Sequence, residues 1–188
     1  MSTLSSVAAN SNVAATEYSL AELMITAAAE AFRHDGEVLA TGIGVLPRLA
    51  ASLAMKTFNP DLMMTDSEAF VLSEPNPISG RSSHEGQKQE TWMGFSRIFD
   101  NVWSGKRHAM VGPTQIDKYG QTNLSALGGT HAKPKTQMLG ARGFPGNSIS
   151  HANSFFVPSH NNSVFVDGDC DMVCSIGYNP ARLPKGYS

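Results

Sequence analysis

From Ser19 to Thr65 two helical patterns alternate with two short apolar segments, and only a few residues join one to the next. Ser19-Leu20-Ala21-Glu22 forms a capping box, in which a hydroxyl and a carboxylate satisfy free amides of a first helical turn. Leu20, Leu23, Ala27, Ala31 and Phe32 follow at helical spacing, and Gly36 stands where a helix closes on a left-handed residue. Glu37 to Thr41 is apolar in its middle and suits a buried strand. Gly42-Ile43-Gly44 makes a turn, Leu46 to Thr57 a second amphipathic helix, and Leu62 to Thr65 a second strand after Pro60. This alternation defines an α/β fold: an open, mostly parallel sheet with helices on both faces.

The rest of the chain is consistent with that architecture but more broken. Residues 73–91 are polar and hold Pro75, Pro77, Gly80 and Gly86, which predicts a long loop acting as a mobile cover or a partner contact. Phe95, Ile98, Phe99, Val102 and Trp103 form a helical apolar face that stops at Gly105. His108 to Val111 reads as a strand, with further short strands expected near Gln137–Leu139, Phe155–Val157 and Val164–Val166. Asp117-Lys118-Tyr119-Gly120 suits a turn between two strands of a hairpin.

The 188 residues fit one domain, taken as residues 17–188, behind a loose Ser, Ala and Asn tail at 1–16. A net charge of −2 leaves no basic footprint for nucleic acid, and no apolar run approaches the length of a membrane-spanning helix. No Lys or Arg precedes Arg33, against an ordinary signal peptide, so the cytoplasm is the expected compartment. Cys170 and Cys174 are too few for a disulfide framework and lack neighbouring ligands at zinc-like spacing; they read as structural thiols, with no metal expected. None of the six histidines stands at a catalytic spacing from a carboxylate or cysteine; His131 and His151 lie in the glycine-rich second half.

Three segments could carry chemistry. Thr41-Gly42-Ile43-Gly44, between strand and helix, is either a tight turn or a place where a ligand approaches a helix N-terminus; it lacks a third glycine and a P-loop lysine. Thr65-Asp66-Ser67-Glu68-Ala69 follows a strand at the carboxyl edge, where ligands of open α/β sheets bind. Asp66 and Glu68 there would repel each other and could raise one pKa, or form a solvated loop. In Gly140-Ala141-Arg142-Gly143-Phe144-Pro145-Gly146-Asn147 the glycines can expose backbone N–H groups to an oxyanion, and Arg142 adds a planar cationic fork.

The order of five segments resembles the beta subunit of class I coenzyme A transferases over about residues 20–178. They are Gly36-Glu37-Val38 leading to Thr41-Gly42-Ile43-Gly44, Phe58-Asn59-Pro60-Asp61, Gln115 to Asn123, Lys133-Pro134-Lys135-Thr136, and Gly140 to Asn147. In transferases of this family a glutamate after the second strand attacks the thioester. Counted from Pro60-Asp61, its place falls on Ser67, with Glu68 one residue late; such a shift turns a side chain to the opposite face. Arg142 stands where transferases tend to have a small residue. These departures, with Trp92-Met93-Gly94-Phe95-Ser96-Arg97-Ile98-Phe99, resemble a branch that hydrolytically opens a steroid ring carried as a coenzyme A thioester.

The resemblance implies a beta subunit that joins an alpha subunit in a heterodimer or α2β2 assembly. Coenzyme A would enter as part of the substrate, with no tightly held cofactor. Arg142 is the catalytic candidate of this chain, joined by Glu68 in the transferase reading, whereas in the ring-opening branch the resemblance implies that the key glutamate lies on the alpha subunit. Gly140, Ala141, Gly143, Phe144, Gly146 and Asn147 form the oxyanion and coenzyme loop, and Asp66, Ser67, Trp92, Gln115 and Asn123 the substrate pocket. Two alternatives remain: coenzyme A transfer between carboxylic acids through a glutamyl thioester at Glu68, and a non-catalytic structural subunit. Family members continue beyond Tyr178, so a chain truncated at its C-terminus is expected.

Overall fold

The computed structural model describes residues 17–42, 44–65, 69–75 and 88–182. The expected tail and Asp66, Ser67 and Glu68 lie outside them, as does most of the expected polar loop. Helix α1 (Leu20–Glu30) opens on the anticipated capping box: the Glu22 amide donates to Ser19 Oγ at 3.2 Å, and the Ser19 amide to Glu22 Oε2 at 2.7 Å. Strand β1 (Leu39–Gly42), helix α2 (Val45–Thr57) and strand β2 (Met63–Thr65) follow. Strands β3 (Phe70–Leu72) and β4 (Gln89–Trp92), helix α3 (Gly94–Val102) and strand β5 (Arg107–Val111) come next. The second half holds β6 (Gln115–Ile116), β7 (Thr122–Asn123), β8 (Ala126–Thr130), β9 (Lys133–Gln137), α4 (Phe144–Ser150) and β10 (Ser154–Phe155).

Six strands make one sheet in the order β10-β5-β1-β2-β3-β4. The three pairings on the β10 side are parallel, and those of β3 are antiparallel, so the sheet is mixed but mostly parallel. Register places Ala40, Met64, Leu72, His108 and Met110 on one face. There the main core forms with Ala29 and Phe32 from the α1 side and Ala50, Ala51, Ala54 and Met55 of α2. On the other face Phe144 of α4 meets the ring of Phe155 edge-on, centroids 6.2 Å apart. Helices therefore cover both faces, as expected.

Three local expectations are corrected. The segment 73–91 is not all loop, because Gln89–Trp92 adds an antiparallel edge strand to Phe70–Leu72. Val164–Val166 is not a strand; it reaches Ile116 through a single bridge at Phe165. The strand expected at Gln137–Leu139 is β9, which ends at Gln137.

The α3–α4 contact is close because the cap of α4 and its facing residue are both glycines. A Cβ on Gly143 would lie 2.8 Å from Val102 Cγ2, and one on Gly146 2.8 Å from both Val102 and Trp103. Gly146→Ala is therefore expected to cost about 1–3 kcal/mol by overpacking, measured by urea unfolding. An unchanged midpoint would show that the helices separate freely.

Candidate functional site

Two of the segments singled out by sequence follow the carboxyl ends of β1 and β2, and β5 leads into Gly112. After β1, Gly44 caps α2 with φ 113°, and a Cβ built on it would meet nothing within 4 Å. That open space suits close approach of a ligand to the helix start. After β2, positions 66–68 are followed by Ala69, which is fully buried and held at φ 69°. Its carbonyl accepts the Met93 amide at 2.9 Å, which fixes a left-handed alanine directly after position 68. After β5, Gly112 lets Phe156 approach to where a Cβ would sit 2.9 Å from the ring.

The eight-residue glycine segment divides into an arm and a helix. Gly140, Ala141, Arg142 and Gly143 form the arm, with Gly140 at φ 89° and Arg142 at φ 53°. Arg142 is exposed, and among the described residues its guanidinium makes no hydrogen bond or ion pair. Phe144, Gly146 and Asn147 belong to α4 and are buried. Asn147 Nδ2 donates to the Arg107 carbonyl at 3.2 Å and to Asn153 Oδ1 at 2.6 Å, tying α4 to the start of β5.

The remaining pocket candidates occupy two other places. Trp92 is an exposed residue of edge strand β4, its ring lying against Gly94 at the start of α3. Gln115 and Asn123 are buried and bonded to each other at 2.8 Å. Gln115 Oε1 also accepts the Asp171 amide, and Asn123 donates to the Ala126 carbonyl. Their polar groups serve the β6–β7 hairpin.

That hairpin is the centre of a buried polar unit. Asp117 Oδ1 accepts the amides of Tyr119 and Gln121, each at 2.9 Å, while its other oxygen accepts Gln121 Nε2. Thr122 bonds Ser175, and the Cys174 amide donates to the Thr122 carbonyl. Both cysteines are buried and free. Burial pushes the Cys170 thiol up to about 11, aided by Asp117, so it stays protonated at neutral pH and serves as a packed group, not a nucleophile. Among the described residues no cluster of three His, Cys, Asp or Glu could hold a metal.

One connected group escaped the sequence reading. His108 Nδ1 lies 2.5 Å from Asp35 Oδ2, and its Nε2 lies 2.8 Å from Ser154 Oγ. The neutral ring with its proton on Nδ1 satisfies all three: it donates to Asp35 and accepts from Ser154. The partners are 73 and 46 residues away, so no local spacing could announce them. Asp35 precedes β1, and His108 and Ser154 stand at the starts of β5 and β10. The group thus sits at the amino edge of the parallel strands, opposite the edge where ligands bind.

Burial holds the His108 pKa below the usual histidine value, outweighing the opposing pull of Asp35. The unfolded chain binds this proton more readily than the folded one. Stability should therefore be full above about pH 7 and fall as pH drops below the ordinary histidine pKa of about 6.5. Urea titrations at pH 7.5 and 5.5 should show this loss, and His108→Gln should reduce it. Identical slopes in variant and parent would assign the pH dependence elsewhere.

The six-stranded sheet order, the helix pairs on its two faces and the glycine-lined carboxyl edge define a coenzyme A transferase-type fold, and sequence comparison agrees: the chain is similar to subunits of coenzyme A transferase-type proteins. It is 40% identical over 164 residues to the cholesterol ring-cleaving hydrolase IpdB subunit of Rhodococcus jostii, covering 87% of this chain and 62% of that protein. It superposes on the crystal structure of Rhodococcus jostii IpdAB with a TM-score of 0.78 and 39% identity, covering 88% of this chain and 65% of that one. One of the subunits of the 3-oxoadipate CoA-transferase of Pseudomonas knackmussii is 29% identical over 165 residues, 86% of this chain and 62% of that protein. The chain thus spans 62% of the length of the curated relatives it matches. No protein-family profile matches it.

Proposed function

We propose that the chain is the beta subunit of a two-subunit enzyme that opens a ring of a steroid-derived cyclic β-oxo acyl-coenzyme A by hydrolysis. The observation that carries this reading is the gap in relatedness: 40% identity to a ring-cleaving hydrolase subunit against 29% to a transferase subunit. In the reaction, water adds to the ring ketone and the bond to the neighbouring α-carbon breaks. The former ketone carbon becomes a carboxylic acid that stays attached through the rest of the opened ring, and the bonding electron pair passes to the α-carbon of the thioester as an enolate, which is then protonated.

Arg142 and the backbone amides of the Gly140–Gly143 arm are the groups of this chain suited to that negative charge, and preorganised donors of this kind contribute about 3–4 kcal/mol each. Coenzyme A arrives as part of the substrate. No helix among the described residues is long and apolar enough to cross a membrane, and a cytoplasmic location fits a substrate carried on coenzyme A.

The transferase relative keeps a second reading open, in which Glu68 forms an acyl and then a coenzyme A thioester. Co-expression with an alpha-type subunit from the same genome, followed by chromatography of the products, separates the two. Hydrolysis predicts a ring-opened acid with the thioester retained, and only partial loss with Glu68→Ala. Transfer predicts exchange of coenzyme A between acids, abolished by Glu68→Ala. Full turnover by the chain without a partner would overturn the two-subunit reading.

A further inference from the structure

Helix α3 carries an apolar face that stays largely exposed among the described residues. Of the five residues expected to pack inward, only Val102 is fully buried, while Phe95 is 69%, Phe99 55% and Trp103 64% exposed. These three recur every fourth residue, so they form one stripe along the shoulder of the helix. Trp92 extends it, 59% exposed, from the edge strand onto the first turn of α3.

We infer that this aromatic stripe is the docking surface for the alpha-type subunit, an inference that rests on the two-subunit reading above. Area is the first argument. Four aromatic side chains exposed to this degree present on the order of 500 Å² of apolar surface. That is at the upper end of the largest patch on a typical monomer and supplies more than half of the roughly 800 Å² that each side of a stable interface buries. Aromatic side chains clustered at the centre of a contact are also the usual source of its affinity.

Continuity with the catalytic arm is the second argument. The ring of Phe99 stands 3.7 Å from where a Cβ on Gly143 would be, and Gly143 is the residue after Arg142. Trp103 packs over Gly146 one turn further along α4. A subunit seated on the stripe is brought against the arm that carries Arg142, so the same contact that assembles the enzyme closes its site. Arg97 and Asp100 on α3 give the stripe a charged rim of both signs, as partner surfaces usually have.

The test uses the full chain co-expressed with an alpha-type coenzyme A transferase subunit from its own genome. Phe95→Glu with Phe99→Glu places two charges on the stripe and leaves Trp103 in its contact with Gly146. Leu20→Glu is the matched control, since Leu20 is 69% exposed on the helix pair of the opposite sheet face. The double variant should keep its melting temperature and bind the partner at least about a hundredfold more weakly, while the control binds like the parent. Assembly of the double variant at parental affinity would overturn the docking surface. So would loss of a homodimer alone, with the mixed complex intact, which would assign the stripe to a second copy. A parental complex that assembles through the stripe yet opens no ring and transfers no coenzyme A would instead overturn the proposed function and leave the interface standing.

Discussion

Arg142→Lys should lower kcat/KM of the assembled enzyme by about tenfold to a hundredfold, the loss of one charge-assisted hydrogen bond worth about 1.5–3 kcal/mol. Lysine keeps the charge but not the planar fork that holds two oxygens at once. Stability should barely change, because the side chain is exposed and bonds nothing among the described residues. The backbone sharpens the test. At φ 53° any residue with a Cβ is strained, and glycine is not. Arg142→Gly should thus be at least as stable as the parent while losing more activity. Activity and stability moving in opposite directions is the signature of a residue kept for its ligand. Steady-state kinetics and a sizing column on the same proteins decide the matter: an intact complex with parental kcat/KM would remove Arg142 from the site, and a dissociated one would make it an assembly residue.

The largest stability loss is expected at Asp117. Its carboxylate accepts three hydrogen bonds inside the β6–β7 turn, two of them from backbone amides. Asp117→Ala leaves those donors buried without partners, at about 1–3 kcal/mol for each fully buried one, so a total of about 3–5 kcal/mol is expected in urea unfolding. Asp117→Asn retains an oxygen for the two amides and should cost clearly less. Equal losses for the two variants would mean that charge, not hydrogen-bond satisfaction, holds the turn.

Much of the sheet was legible because period and punctuation agree there. Ser19 and Glu22 announce α1, although the helix ends at Glu30 with Ala31 as its cap and not at Gly36, and the runs ending at Thr41, Thr65 and Val111 are apolar enough to be central parallel strands. Strands β3 and β4 were not legible. Phe70-Val71-Leu72 is too short to show a period, and Gln89-Glu90-Thr91-Trp92 is polar because it forms the edge of the sheet. The face of α3 shows a different limit: Phe95, Phe99 and Trp103 define a helix by spacing, but spacing does not say what covers it. The carboxyl-edge loops and Arg142 could be read from glycines and strand ends. The Asp35–His108–Ser154 group could not, since tertiary folding alone brings those three together.

The glycines beside Arg142 answer to a different demand from the arginine. Gly143 and Gly146 are required by the distance between two helices, whatever reaction the arm serves. In a deep mutational scan, substitutions at these two positions should deplete cellular abundance, whereas those at Arg142 should deplete only growth that depends on the reaction. A descendant could therefore exchange Arg142 and acquire a new substrate without disturbing its scaffold. The glycine frame would persist through that change as a fossil of the fold, unchanged in chains whose chemistry had already diverged.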